Sequence, residues 1–231
     1  MTEYSKFYFD GYTSTDLLDT PTNERIVRVL EDLASKDDLH DPFTWDMKYP
    51  NTIDIRPNVH EYDDVFVRFI EDNDLLKKVR YLSQRDMVPY HVQVRRSNPG
   101  PSYMDWHRDT YINQDGKVIG MAPGGLKIIF YPRCGRSPEA RLDLLKGTNM
   151  CHIRNSTSDM NIIQSGMFDK ITINSSDNSC VIFDVASLHR VVPDVNDSSI
   201  RLIYSFVTRD QFNDMNLDGT IHKSFFEKFD V

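Results

Sequence analysis

Tyr103-Met104-Asp105-Trp106-His107-Arg108-Asp109-Thr110 is the stretch from which the fold can be read, because a histidine and an aspartate stand two residues apart in it. On an extended backbone alternate side chains share a face, so His107 and Asp109 can offer an imidazole and a carboxylate to one metal ion. A further histidine, His189, follows the apolar run Val181-Ile182-Phe183-Asp184. Brought opposite the first pair at the mouth of a strand, it completes a set of two imidazoles and one carboxylate, which leaves three positions open on a ferrous ion. His-x-Asp alone is a frequent chance match in a chain with seven histidines, and a surface hydrogen bond or ion pair would explain it. Arg201 changes the balance. It lies in Ile200-Arg201-Leu202-Ile203-Tyr204-Ser205-Phe206-Val207, and a guanidinium alternating with apolar strand residues needs an anion. That anion is either one of the chain's own carboxylates or a ligand carboxylate held through paired hydrogen bonds.

Outward from this segment, residues 89–208 read as short strands separated by turn residues: Tyr90 to Arg96, Leu126 to Tyr131, Lys170 to Asn174, Cys180 to Asp184 and Ile200 to Thr208. Asn98-Pro99-Gly100-Pro101 and Ala122-Pro123-Gly124-Gly125 read as loops, and Arg133 to Met167 as a long polar connection. Residues 1–88 read as mainly helical. Ile26, Val29, Leu30 and Leu33 share one helix face behind Thr20 and Pro21, and helical spacing returns at Val65, Phe66, Phe69 and Ile70 and at Leu75, Leu76, Val79 and Leu82. Lys36 to Val59, with Pro42, Pro50 and Pro57, reads as irregular. The expected architecture is one domain over 1–231, mainly β with a helical N-terminal layer on an antiparallel sandwich or jelly roll, and residues 209–231 as a C-terminal extension.

A net charge of −8 disfavours nucleic acid and anionic lipid as partners. Cys134, Cys151 and Cys180 are odd in number and lack C-x-x-C spacing, which fits reduced thiols in the cytoplasm. The opening MTEYSKFYFDGY lacks a basic region followed by a sustained apolar run, and no apolar run is long enough for a membrane span, so a signal peptide and membrane insertion are not expected. His91 and His152 lack ligand spacing and read as structural histidines, and Trp106 reads as a packing residue. Asp105 and Asp184 either orient the imidazoles or sit in solvated loops.

His107, Asp109, the distant His189 and Arg201 on the following strand resemble the Fe(II)/2-oxoglutarate-dependent oxygenases. The likeness is greatest to their phytanoyl-CoA hydroxylase-like branch. Phe9-Asp10-Gly11-Tyr12 is similar to the opening of that branch, and Trp106-His107-Arg108-Asp109 to its metal segment. Gly125-Leu126-Lys127-Ile128-Ile129-Phe130-Tyr131 is similar to the strand that follows, and Leu145-Lys146-Gly147-Thr148-Asn149 to a later turn. The resemblance implies a cupin-like double-stranded β-helix with Fe(II) on His107, Asp109 and His189, and 2-oxoglutarate clamped by Arg201. Lys127, Gln93 and Arg95 become candidate co-substrate contacts, with Gln93 and Arg95 on the strand face opposite Tyr90, Val92 and Val94. One departure is that Ile203 stands where some relatives carry a Ser or Thr, and Ser205 is not assigned that role.

The implied reaction consumes O2, converts 2-oxoglutarate to succinate and CO2, and hydroxylates an unactivated C–H bond. Desaturation and ring closure stay open, while the presence of Asp109 argues against halogenation. A small metabolite or amino acid is the expected substrate, ahead of a protein side chain docking at Lys36 to Val59 or Arg133 to Met167. A non-catalytic jelly-roll binding module and a zinc hydrolase are the other readings of the same residues.

Overall fold

Helix α1 (Glu3–Asp10) starts where the Thr2 side chain accepts from the Ser5 amide and stops at Gly11, whose φ of 79° is left-handed. A side chain at Gly11 would collide with Ser187 and Asn149, so the chain can turn tightly there into strand β1 (Tyr12–Asp16). The computed structural model describes residues 1–35, 52–55, 59–97, 99, 105–112, 118–132, 141–151, 155–174, 178–192, 196, 198–215 and 221–229. Most of the Lys36-to-Val59 connection, Asn98 and Gly100-Pro101, Cys134 and His152 lie outside them.

Four further helices follow in the first third, α2 (Pro21–Ser35), α3 (Val59–Tyr62), α4 (Val65–Asp72) and α5 (Leu75–Ser83). Between α2 and α3 runs strand β2 (Thr52–Ile55). That strand corrects the expectation of irregular chain, because Thr-Ile-Asp-Ile carries β-branched residues at alternate positions and finds a partner in the sheet edge. The strands continue as β3 (Met87–Ser97), β4 (Thr110–Ile112), β5 (Val118–Gly120), β6 (Leu126–Phe130) and β7 (Arg141–Leu145). Helix α6 (Ser156–Ser165), strands β8 (Lys170–Asn174), β9 (Ser179–Asp184), β10 (His189–Val192) and β11 (Ser199–Thr208), and helices α7 (Arg209–Asp214) and α8 (Ile221–Phe226) complete the order. The expected polar connection from Arg133 to Met167 therefore contains a strand and a helix. Leu142 and Leu144 are buried in β7, and α6 is started by a capping box between Asn155 and Ser158.

Six strands form an antiparallel sheet in the order β1-β9-β6-β11-β3-β2, and β10-β7-β8 form a smaller one. The helical first third thus contributes both edge strands of the large sheet. Between the sheets pack Ile129, Tyr131, Leu142, Leu144, Val181, Phe183, Val191 and Ile203. The outer face of the large sheet is covered by helix residues including Ile26, Leu30, Phe66, Phe69 and Val79, joined by Phe225 and Phe229 from the C-terminal end. Tyr204 fastens the two layers: it stacks on Phe69 at 6.0 Å and donates its hydroxyl to the Phe66 carbonyl at 2.7 Å.

A register shift between Ser205 and Phe206 pairs His91 with Ser205 but Pro89 with Phe206, so Tyr90 is an extra residue in β3. Tyr90 accordingly does not share the face of Val92 and Val94, and packs with Val88, Val207 and Phe212 instead. No helix among the described residues is long and apolar enough to cross a membrane.

Candidate metal centre

The ligand segment and the start of β10 are joined as an antiparallel bridge. The His107 amide donates to the His189 carbonyl and the His189 amide to the His107 carbonyl, each at 2.9 Å. Directly opposed residues put their side chains on one face, and the two imidazole centroids lie 4.3 Å apart. Asp109 is fixed by its amide, which donates to Val185 at 3.0 Å, and by its carbonyl, which accepts from Met121 at 2.8 Å. The second contact requires Gly120. Its φ is +86°, and a Cβ there would fall 2.2 Å from the Asp109 carbonyl oxygen.

His107 Nδ1 lies 2.8 Å from the Asp105 carbonyl and His189 Nδ1 3.0 Å from the Ser187 carbonyl. A carbonyl can only accept, so each Nδ1 carries the proton and each Nε2 presents a lone pair. The imidazoles are thus oriented by backbone, not by the carboxylates of Asp105 and Asp184, which accept from the Trp106 and Ala186 amides. Ligand atoms of His107, Asp109 and His189 lie within 4.8 Å of one another, with His189 Nε2 3.6 Å from Asp109 Oδ2.

Burial pushes the His107 imidazole below its ordinary range and the His189 imidazole down to about 3. For Asp109, burial would raise the pKa, but Lys127 and the two histidines outweigh it and hold the carboxyl well below the usual range. Two neutral imidazoles and one carboxylate are the protonation states a divalent cation needs. Lys127 Nζ sits 3.0 Å from Asp109 Oδ1, whereas Asp109 Oδ2 is buried and meets no hydrogen-bond partner among the described residues. An oxygen lone pair left over between two imidazole nitrogens fits a metal ion.

The centre opens into a cavity of about 310 Å³ whose walls include His91, Gln93, Arg95, Lys127, Arg201 and Ile203. The strand registers give it depth. His91 and Lys127 both oppose Ser205, Gln93 opposes Ile203, and Arg95 opposes Arg201. The metal ligands and Lys127 therefore mark one end and the two guanidinium residues the other, four strand residues or about 13 Å apart along the backbone. Arg201 is 2% exposed, and its Nη1 donates to Ser97 Oγ at 3.1 Å.

No family model matches the sequence, and no curated protein does. Among solved structures, the epimerase SnoN in complex with Fe3+, alpha ketoglutarate (2-oxoglutarate) and nogalamycin RO superposes with a TM-score of 0.68 over 94% of this chain and 90% of that one, at 10% identity. HygX from Streptomyces hygroscopicus, with nickel and 2-oxoglutarate bound, gives 0.65 at 15% identity over 90% of this chain and 88% of that one. EctD from S. alaskensis with bound Fe gives 0.60 at 14% identity, covering 89% of this chain and 75% of that one. The chain has the fold of these metal-binding enzymes.

Of the residues singled out by sequence, His107, Asp109, His189, Arg201, Lys127, Gln93 and Arg95 all line this one cavity. Lys127 leans on the Asp109 carboxylate there. Sequence reasoning missed the residues that hold the ligands in place. Arg108, between the two ligands and pointing away from them, is 2% exposed. It donates to Asp159 on α6 at 2.9 Å, to the Thr148 carbonyl at 2.8 Å and to the Ala186 carbonyl. On the back of the small sheet a row of side chains crosses the strands. Thr172 donates to Asp143 at 2.8 Å, Arg190 donates to Asp143 at 2.9 Å, and the Arg190 guanidinium lies 4.9 Å from the Trp106 ring centroid. Trp106, next to His107 in the chain, thus has its ring against the Arg190 guanidinium. A buried acid at the middle of Arg141-Leu142-Asp143-Leu144-Leu145 was the only available signal for this row.

Proposed function

We propose that the chain is a non-haem Fe(II)- and 2-oxoglutarate-dependent oxygenase, built on a double-stranded β-helix and acting on a small molecule. The observation that carries the reading is the convergence of His107 Nε2, His189 Nε2 and the unmatched Asp109 Oδ2 at one end of a cavity whose other end holds Arg201. The two ends are complementary to a linear dianion that chelates a metal at one end and presents a carboxylate at the other.

Bound together, Fe(II), O2 and 2-oxoglutarate would supply the oxidising power for C–H hydroxylation, with succinate and CO2 as co-products. His107, Asp109 and His189 hold the metal. Arg201 offers its planar fork to the distal carboxylate, with Ser97 fixing one guanidinium nitrogen. Arg95, directly across the strand pair from Arg201, adds a second guanidinium residue at that end, while Ile203, opposite Gln93, offers no hydroxyl in place of the Ser or Thr of some relatives. Gln93 and Ile203 form the wall between the ends, and Lys127 steadies Asp109. Neighbours in fold include an epimerase and a carbocyclase; among the outcomes open to this chemistry, hydroxylation is the one proposed here, and Asp109, which fills the position that a halide would need, argues against halogenation. Three cysteines, an odd number without C-x-x-C spacing, accord with a reducing compartment, the cytoplasm.

The test is anaerobic titration of the metal-free protein with Fe(II) and then 2-oxoglutarate, following the weak visible charge-transfer band of the chelate. The band should appear in the wild type and be lost in His107→Ala and His189→Ala. A folded protein that never develops it, but hydrolyses esters when loaded with zinc, would replace the oxygenase reading with a hydrolase.

A further inference from the structure

We infer that Lys127 is a positioning residue that caps one oxygen of the Asp109 carboxylate, so that Asp109 binds the metal through its other oxygen alone. The inference rests on the metal reading of the site and deepens it by assigning what keeps three positions open on the ion.

Lys127 lies on β6 between Phe183 of β9 and Ser205 of β11, and its side chain lines the cavity beside the three ligands. An ammonium next to a dication site is repelled by the ion, so its placement there has to be offset by a partner of opposite charge. That partner is Asp109, with Lys127 Nζ 3.0 Å from Oδ1. Asp109 is also the one carboxylate among the described lining residues.

The two oxygens of Asp109 consequently have different surroundings. Oδ1 accepts from the ammonium. Oδ2 is buried, has no hydrogen-bond partner among the described residues and stands 3.6 Å from His189 Nε2, on the side where the imidazoles converge. A carboxylate can ligate a metal with one oxygen or with both. Two imidazoles and a single oxygen leave three positions open on a six-coordinate ion. A chelating co-substrate takes two of them and O2 the third, so a second oxygen from Asp109 would exclude one reactant. Lys127 prevents this with a charge-assisted hydrogen bond to Oδ1 that the metal would have to break. A purely structural lysine would predict something else, namely weaker metal binding with no change in how the carboxylate ligates.

The experiment uses the full chain, 13C-labelled at the aspartate side-chain carboxyls, and records infrared difference spectra between metal-free and Zn(II)-loaded protein. Asp109→Ala, which lacks them, identifies the Asp109 bands. Wild type should show the wide separation of antisymmetric and symmetric carboxylate stretches that marks one-oxygen binding. Lys127→Met should show a narrow separation. Lys127→Gln should move in the same direction, because a neutral amide holds Oδ1 less tightly than an ammonium, and it serves where Lys127→Met does not fold. Lys127→Arg should restore the wide separation. Line broadening of Mn(II)-loaded protein in 17O-enriched water gives an independent readout, with one bound water fewer in Lys127→Met than in wild type. Zinc competition should show affinity in Lys127→Met equal to or higher than in wild type, since a repelling charge is gone. A narrow separation in wild type overturns the inference, as does a wide separation with an unchanged water count in both Lys127→Met and Lys127→Gln; in either case the metal reading stands. If zinc does not displace the Asp109 bands at all, both fall.

Discussion

Single residues divide cleanly by the charge they meet. Arg201 is buried against Ser97 at the end of the cavity away from the metal, so Arg201→Ala should leave Fe(II) affinity within about twofold and raise the dissociation constant for 2-oxoglutarate by about 10- to 100-fold. Calorimetry with Ni(II) and then 2-oxoglutarate measures the two steps separately, and equal weakening of both would remove Arg201 from the co-substrate end. His91 in the cavity wall, with His60 and His222, predicts a pH dependence. His60, His91 and His222 are all held below their ordinary value, chiefly by burial. Their folded state therefore binds fewer protons than the unfolded chain, so their contribution to stability is intact above about pH 6.5 and is lost as pH falls towards the folded values. For His91, at about 3, the slope approaches about 1.4 kcal/mol per pH unit below pH 6. Thermal melts between pH 7.5 and 5 should show a steeper decline in wild type than in His91→Gln, and parallel curves would contradict this.

Elements bring the ligands to their places. The row Thr172–Asp143–Arg190–Trp106 ties β8, β7, β10 and the ligand segment together on the face away from the metal. Asp143 is 1% exposed, so Arg190→Ala leaves a buried carboxylate with the Thr172 hydroxyl and the more distant Arg141 guanidinium, 4.0 Å away. We expect a stability loss of about 1–3 kcal/mol and weaker Zn(II) binding, with Arg190→Lys recovering stability more fully than metal affinity because an ammonium pairs with Asp143 but stacks poorly on Trp106. Chemical denaturation and zinc competition assays report the two quantities. Gly120→Ala is a second test at this scale. Its Cβ would overlap the Asp109 carbonyl, so the β4–β5 hairpin must shift and zinc affinity should fall, whereas Gly166→Ala, a position with open space, should leave it unchanged.

At the scale of the whole molecule, the two sheets enclose the cavity while helices from both ends of the chain cover the large sheet. The residues past 208, expected as an extension, carry Phe225 and Phe229 into the main core. Phe225→Ala should therefore cost about 3–5 kcal/mol, measurable by urea denaturation, and an effect below about 1 kcal/mol would show that α8 is only appended. Much of this organisation is legible in sequence. The longer strands and the amphipathic helices α2, α4 and α5 follow from apolar periodicity, which the chain itself specifies through the geometry of its backbone. His107, Asp109, His189 and Arg201 are legible because their chemistry is costly to place anywhere without a partner. β2, β7 and α6 escaped because short or polar segments hold their shape through neighbours distant in sequence. Tyr90 changed face because a bulge depends on the register with β11. The carbonyls that orient the imidazoles are set by the backbone path of each ligand's own segment, and Arg108 against Asp159 and the row behind Trp106 join elements far apart in sequence, so these were decided only by tertiary structure, which no local pattern records.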